Sequence, residues 1–202
     1  MQILIIIFQT LFIILLAPLV AGIIRKIKNN LRMRQGAGIL QPYYNLTKLF
    51  AKEEVQSSTA SWIFRVTPYI VFSSSVAVLL FIPAISPGIS FNSFGDLFLI
   101  IFLLALGRFF IALAGLDTGS AFGGMGSSRE MFISSLAEPV ALTTFLAIAI
   151  RSWSTNPGII TAVPGLPLSS FIAGIALLLV TLAETSRLPI DNQETHLELT
   201  MV

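Results

Sequence analysis

The sequence predicts an all-α fold: a polytopic integral membrane protein with five transmembrane helices and one amphipathic cytoplasmic helix. Three observations carry that expectation. Apolar residues make up 55% of the chain and charged residues only 11%, whereas soluble domains carry roughly 25% charged residues. Five stretches, 3–24, 66–85, 97–116, 131–150 and 169–188, are apolar over the ~20 residues needed to cross a hydrocarbon core. The basic residues between them lie mostly on one side of the predicted topology. Together these features predict a single membrane domain over residues 1–202.

The first span, 3–24, is read as a retained helix. It has no basic segment before it, it is longer than the apolar core of a signal peptide, and Arg25 and Lys26 follow it instead of small residues. The segment 25–65 then holds Arg25, Lys26, Lys28, Arg32, Arg34, Lys48, Lys52 and Arg65, two thirds of the 12 lysines and arginines. Basic loops stay on the cytoplasmic side. This puts the N-terminus outside and loops 25–65 and 117–130 inside, with the tail after Leu188. The opposite loops, 86–96 and 151–168, are rich in Pro, Gly and Ser and hold only Asp96 and Arg151. The same distribution accounts for the basic pI without invoking nucleic acid.

Within the basic loop, Tyr43, Leu46, Leu49 and Phe50 recur at spacings of three and four. With Pro42 at its start, the segment 42–52 is an amphipathic helix, suited to the membrane interface or to a partner. The sequon Asn45-Leu46-Thr47 falls on the cytoplasmic side and is discounted as a glycosylation site.

The third and fourth spans carry ionisable groups, which are costly in a membrane and mark function or a paired contact. Arg108 interrupts the third. Glu138 lies about two turns inside the fourth, just before Pro139, which frees the carbonyl of Ser135. A carboxylate there is paired, hydrogen-bonded, hydrated or protonated. The two readings are a structural ion pair with Arg108 and a proton-relaying acid. The loop between these spans contains Gly119-Ser120-Ala121-Phe122-Gly123-Gly124-Met125-Gly126. It lacks the lysine and the strand–helix setting of a phosphate loop, so its expected use is close backbone packing. Asp117, Arg129 and Glu130 sit at the same cytoplasmic level. A last cluster, Glu184, Arg187, Asp191, Glu194, His196 and Glu198, closes the chain. Glu184 and Arg187 are three apart on a helix face and near enough to pair, and Pro189 ends the regular helix.

There is no cysteine and a single histidine, so the chain offers no iron–sulfur or zinc–thiolate site and no nucleophile–base pair. No internal repeat suggests a transporter working alone. Any redox chemistry is therefore expected to belong to a partner.

Three segments resemble one family. Arg34-Gln35-Gly36 through Gln41-Pro42-Tyr43-Tyr44, followed by Lys48-Leu49-Phe50 and Lys52-Glu53, looks like the first cytoplasmic loop of the complex I membrane subunit that borders the quinone site. LAETSRLPIDN (182–192) resembles that subunit's acidic loop. LDTGSAFGGMGSSRE (116–130) and DNQETHLELTMV (191–202) are closer to the homologous subunit of energy-converting membrane-bound nickel–iron hydrogenases, including formate hydrogenlyase. The resemblance implies a subunit of the prokaryotic cytoplasmic membrane that anchors a soluble hydrogenase arm and couples its electron transfer to proton or sodium translocation. Its partners would be the large and small hydrogenase subunits, which would hold the nickel–iron centre and iron–sulfur clusters, and antiporter-like membrane subunits. No quinone is implied on that reading; the alternatives are a quinone-binding complex I membrane subunit and a passive assembly anchor. Arg129, Glu138, Glu184, Arg187, Asp191, Glu194 and Glu198 match charged positions of the coupling region, to which Arg108, Asp117 and Glu130 are added as neighbours. Arg34 and Gln41 match the loop facing the peripheral arm, with Gln35, Lys48 and Lys52 beside them. Family members continue past the position matching Val202 with about three further helices, so against the resemblance this sequence reads as a fragment, a split subunit or a shortened relative.

Overall fold

The computed structural model of the chain describes residues 2–53, 59–82, 96–163, 165 and 168–185. The regular elements among them are helices: α1 (Gln2–Leu31), α2 (Gln41–Phe50), α3 (Trp62–Phe81), α4 (Leu97–Asp117), α5 (Ala121–Ser152), α6 (Pro157–Ala162) and α7 (Leu168–Glu184). Four of them, α1, α3, α4 and α5, are long and apolar enough to cross a membrane. The fifth expected span is seen as the shorter apolar helix α7, and the rest of that span, 186–188, lies outside the described residues. The chain is a multi-pass membrane protein. It divides into two compact units, Met1–Gln56 and Ser57–Val202.

In the first unit α1 runs on to Leu31, so Arg25, Lys26 and Lys28 stand on its last turns, where cations complement the helix dipole. The chain then turns back, with Met33 at φ 54°. Gly22 makes the return possible: a Cβ there would stand 2.0 Å from the carbonyl oxygen of Ile39, a backbone atom that cannot step aside. The Tyr43 hydroxyl donates to the Leu15 carbonyl at 2.5 Å, tying α2 to α1. The amphipathic helix expected at 42–52 is therefore present as α2, with Pro42 in its first turn and Leu49 and Phe50 exposed.

In the second unit α3 packs on α4, α4 on α5, and α5 on α7. Small side chains line these contacts, which lets helix backbones approach where no hydrophobic effect drives association. Gly107 of α4 faces Ser74 of α3, and Ala137 and Ala141 of α5 meet Val180 of α7. At its start α3 is capped by Ser61, whose hydroxyl accepts from the Ile63 amide. Its end falls at Phe81 because Ile82 precedes Pro83, and a residue before proline is pushed out of the helical region. The span expected at 66–85 thus sits four residues earlier.

The largest departure from the sequence reading is the glycine-rich stretch. Loop 117–130 shrinks to Thr118, Gly119 and Ser120, and α5 begins at Ala121. Gly119 takes φ 64° in the turn, and the Ser120 hydroxyl accepts from the Gly123 amide, capping the helix. Glycine inside a helix costs about 1 kcal/mol against alanine. Tertiary contact offsets that cost here, since a Cβ on Gly123 would stand 2.3 Å from the Gly115 carbonyl oxygen. The expected role in close backbone packing holds, on a helix and not in a loop. The short helix α6 in the opposite loop was not anticipated. Asn156 caps it and Pro157 opens it.

Gly123→Ala should therefore lower the stability of the α4–α5 hairpin by about 1–3 kcal/mol, visible as a lower unfolding temperature in detergent. Gly124→Ala, where a Cβ would meet nothing within 4 Å, should leave that temperature unchanged or raise it.

Candidate functional site

Three charged side chains from three helices meet in the second unit. Arg108 lies midway along α4, Glu138 lies inside α5 one residue before Pro139, and Glu184 is the last residue of α7. The Arg108 guanidinium donates through Nη1 to Oε1 of Glu184. Its Nη2 lies 3.6 Å from Oε1 of Glu138. The side chain of Arg108 is 15% exposed, that of Glu184 20% and that of Glu138 37%. One arginine is thus shared by two acids, and the trio carries a net charge of −1 when all are ionised.

Placing a single charge at the centre of a membrane helix costs about 2.5–3.5 kcal/mol on insertion scales. Mutual pairing reduces that cost, but one cation cannot neutralise two carboxylates. Glu138 is the looser partner, with the longer contact and the greater exposure. Beside it a cavity of about 390 Å³ opens between α4 and α5. Phe102 and Phe109 wall it from α4, and Met131, Ser134 and Ser135 from α5, with Arg108 and Glu138 at its polar end. The Nε of Arg108 is buried without a hydrogen-bond partner among the described residues. An acid that is held weakly, set against a cavity and, among the described residues, left with excess negative charge can exchange a proton or bind a small cation.

The ion pair with Arg108, one of the two readings of Glu138, is formed. The contact of Glu184 with Arg108 was not anticipated, because sequence spacing joins Glu184 to its near neighbour Arg187. Arg187, Asp191, Glu194 and Glu198, with His196, lie outside the described residues. Arg129 and Glu130 are partly buried and belong to α5. Asp117 lies nine residues beyond Arg108, about 13.5 Å along the helix axis. Its Oδ2 accepts from the backbone amides of Ser61 at 2.8 Å and Phe64 at 3.3 Å, satisfying open donors at the start of α3. It ties two helix ends together and does not join the trio. Ser134 escaped the sequence reading altogether. Its signal was available, since it stands four residues before Glu138 on the same helical face.

In the first unit, Arg34, Gln35, Lys48 and Lys52 are exposed. Gln41 is partly buried, and its Nε2 donates to Asn45 Oδ1 at 3.2 Å along α2. Among the described residues, no three histidine, cysteine or acidic side chains come together as metal ligands.

A chain of apolar helices holding this trio can be compared with known proteins. Residues 2–201 match the NADH dehydrogenase family. The chain belongs to that family. Among its relatives are hydrogenase-4 component C of Escherichia coli, 35% identical, and formate hydrogenlyase subunit 4 of the same organism, 36% identical. Each alignment covers 95% of this chain, and 62% and 64% of the respective relatives. NADH-ubiquinone oxidoreductase chain 1 of Papio hamadryas is 30% identical over 87% of this chain and 58% of its own length. A subunit of the membrane-bound sulfane sulfur reductase, an archaeal respiratory membrane complex, superposes with a TM-score of 0.74 at 28% identity, covering 92% of this chain and 61% of that one. This member of the NADH dehydrogenase family therefore spans about three fifths of the length of the relatives it matches.

Removing Arg108 leaves two carboxylates unpaired, whereas removing one carboxylate leaves the arginine with the other. Arg108→Gln should cost about 3–5 kcal/mol and Glu138→Gln about 1 kcal/mol or less. Thermal unfolding of the two variants in detergent checks the order, and equal losses would mean that Arg108 is not shared.

Proposed function

We propose that the chain is a membrane subunit of an energy-converting redox complex of the hydrogenase type, and that it couples electron transfer in a soluble arm to the movement of a proton or sodium ion. The observation that carries this reading is the sharing of Arg108 between Glu138 and Glu184. A site with one uncompensated negative charge responds when a neighbouring charge changes, because a cation bound or released at Glu138 restores the balance. A redox event that shifts charge in a docked arm is such a change. The relatives named as subunits of hydrogenase-4 and formate hydrogenlyase support the hydrogenase assignment. On this reading the nickel–iron centre and iron–sulfur clusters reside in partner subunits, and antiporter-like membrane subunits carry the ion further.

The exposed Arg34, Gln35, Lys48 and Lys52, with Gln41, would form the docking face for the soluble arm. Loops 25–65 and 118–120 would then face the cytoplasm, with the N-terminus outside. Arg187, Asp191, Glu194 and Glu198 would extend the coupling region from Glu184, with Arg129 and Glu130 beside it.

A second reading has an observation in its favour. The ion pair between Arg108 and Glu138 is what a passive anchor would also show, with charges that only hold helices together. Glu138→Gln separates the two. In membrane vesicles carrying the assembled complex, the coupling reading expects the variant to assemble and evolve hydrogen while ion translocation is lost. Normal translocation in Glu138→Gln would leave the anchor reading standing.

A further inference from the structure

The helical course of the glycine-rich stretch places a row of polar groups on α5 that leads to the trio. Ser127, Glu130, Ser134 and Glu138 follow one another at spacings of three, four and four, which sets them on one face of the helix. The row climbs about 16.5 Å from Ser127 to Glu138 at 1.5 Å per residue. Adjacent members stand one turn apart, with Cβ atoms about 5–6 Å from each other. Had residues 117–130 formed a loop, neither Ser127 nor Glu130 would have been aligned with Glu138.

The surroundings of this row are unusual for a face packed in a membrane. Ser127 is 1% exposed, and its hydroxyl has no hydrogen-bond partner among the described residues. A buried hydroxyl without a partner costs about 1–3 kcal/mol unless water or a proton donor completes it. Ser134 is 7% exposed, so it is not a surface serine turned to solvent. Together with Glu138 it lines the 390 Å³ cavity, which has room for several waters at ~30 Å³ each. Polar groups for those waters are present in Ser134, Ser135, Arg108 and Glu138. Glu130 stands one turn before Ser134, partly exposed, on the side of the Ser120 end of α5.

We propose that Glu130 and Ser134 form the proton-access path to Glu138 from the Ser120 end of α5. The inference rests on the coupling role of Glu138 and adds the route by which its proton arrives. Glu130 collects a proton at the end of the helix and releases it toward Ser134. The Ser134 hydroxyl and cavity water accept one proton and donate another, so each returns to its starting state. Glu138 takes the proton and lowers the excess negative charge around Arg108. Glu130 and Ser134 act as positioning and relay residues for the proton that reaches Glu138.

The test uses the assembled complex in membrane vesicles and compares four variants by protons translocated per hydrogen evolved, with the amount of assembled complex as a control. Glu130→Gln and Ser134→Ala should lower that ratio on the order of tenfold, less than the roughly 10²–10⁴-fold in rate that loss of a positioned proton-transfer group costs. Ser134→Thr, which keeps the hydroxyl, should restore it. Such a pattern of loss and restoration is not expected if Ser134 merely packs. Full translocation in Ser134→Ala overturns the path, even if Glu130→Gln fails to assemble. Loss of translocation in Glu138→Gln, with normal values in Glu130→Gln and Ser134→Ala, would overturn the path while leaving the coupling role intact. Normal translocation in Glu138→Gln would overturn both.

Discussion

The second unit depends on one guanidinium shared between two carboxylates. Arg108 reaches from α4 to Glu138 on α5 and to Glu184 on α7, so a single side chain links three helices. Charged groups within membrane spans are costly and almost always paired, and Arg108 pairs with one acid from α5 and one from α7. The small residues at the α5–α7 contact, Ala137, Ala141 and Val180, bring Glu184 within reach of Arg108. The helices are arranged for the charges as much as the charges for the helices.

Within the trio one arginine faces two acids, and the proposed coupling role rests on that imbalance. Glu184 makes the close contact, leaving Glu138 with the longer one beside the cavity. Asp117, on the same helix as Arg108, is the contrast. It is satisfied by two backbone amides at the start of α3 and serves as a brace. Two acids on adjoining elements therefore play different parts because their partners differ, a distinction that residue type alone does not reveal.

Much of this was legible in the residues. Apolar length announced the spans, and the spacing of Tyr43, Leu46, Leu49 and Phe50 announced α2. The isolation of Glu138 and Arg108 in apolar surroundings marked both. What could not be read depended on contacts between distant segments. The pairing of Glu184 with Arg108 joins residues 76 apart, whereas spacing arguments reach only the next turn. The glycine-rich stretch looked like a loop because glycine weakens helices in isolation. Its helical form follows from the close approach of Gly123 to the Gly115 carbonyl and from the Ser120 cap, neither of which composition can display. That misreading also hid the row from Ser127 to Glu138. The resemblance drawn from the loop motifs pointed to the right family, because those motifs cover segments that span most of the chain.

On the coupling proposal, the trio of Arg108, Glu138 and Glu184 exchanges one cation during turnover. Infrared difference spectroscopy of the assembled complex, recorded between its oxidised and reduced states in ordinary and heavy water, measures this directly. For a proton, the account predicts a carboxylic-acid carbonyl band that appears or vanishes with the redox change, shifts in heavy water and is absent in Glu138→Gln. For sodium, it predicts a carboxylate band that depends on sodium and is lost in the same variant. Spectra of the wild type and Glu138→Gln that are identical in both regions, with the complex turning over, would contradict it.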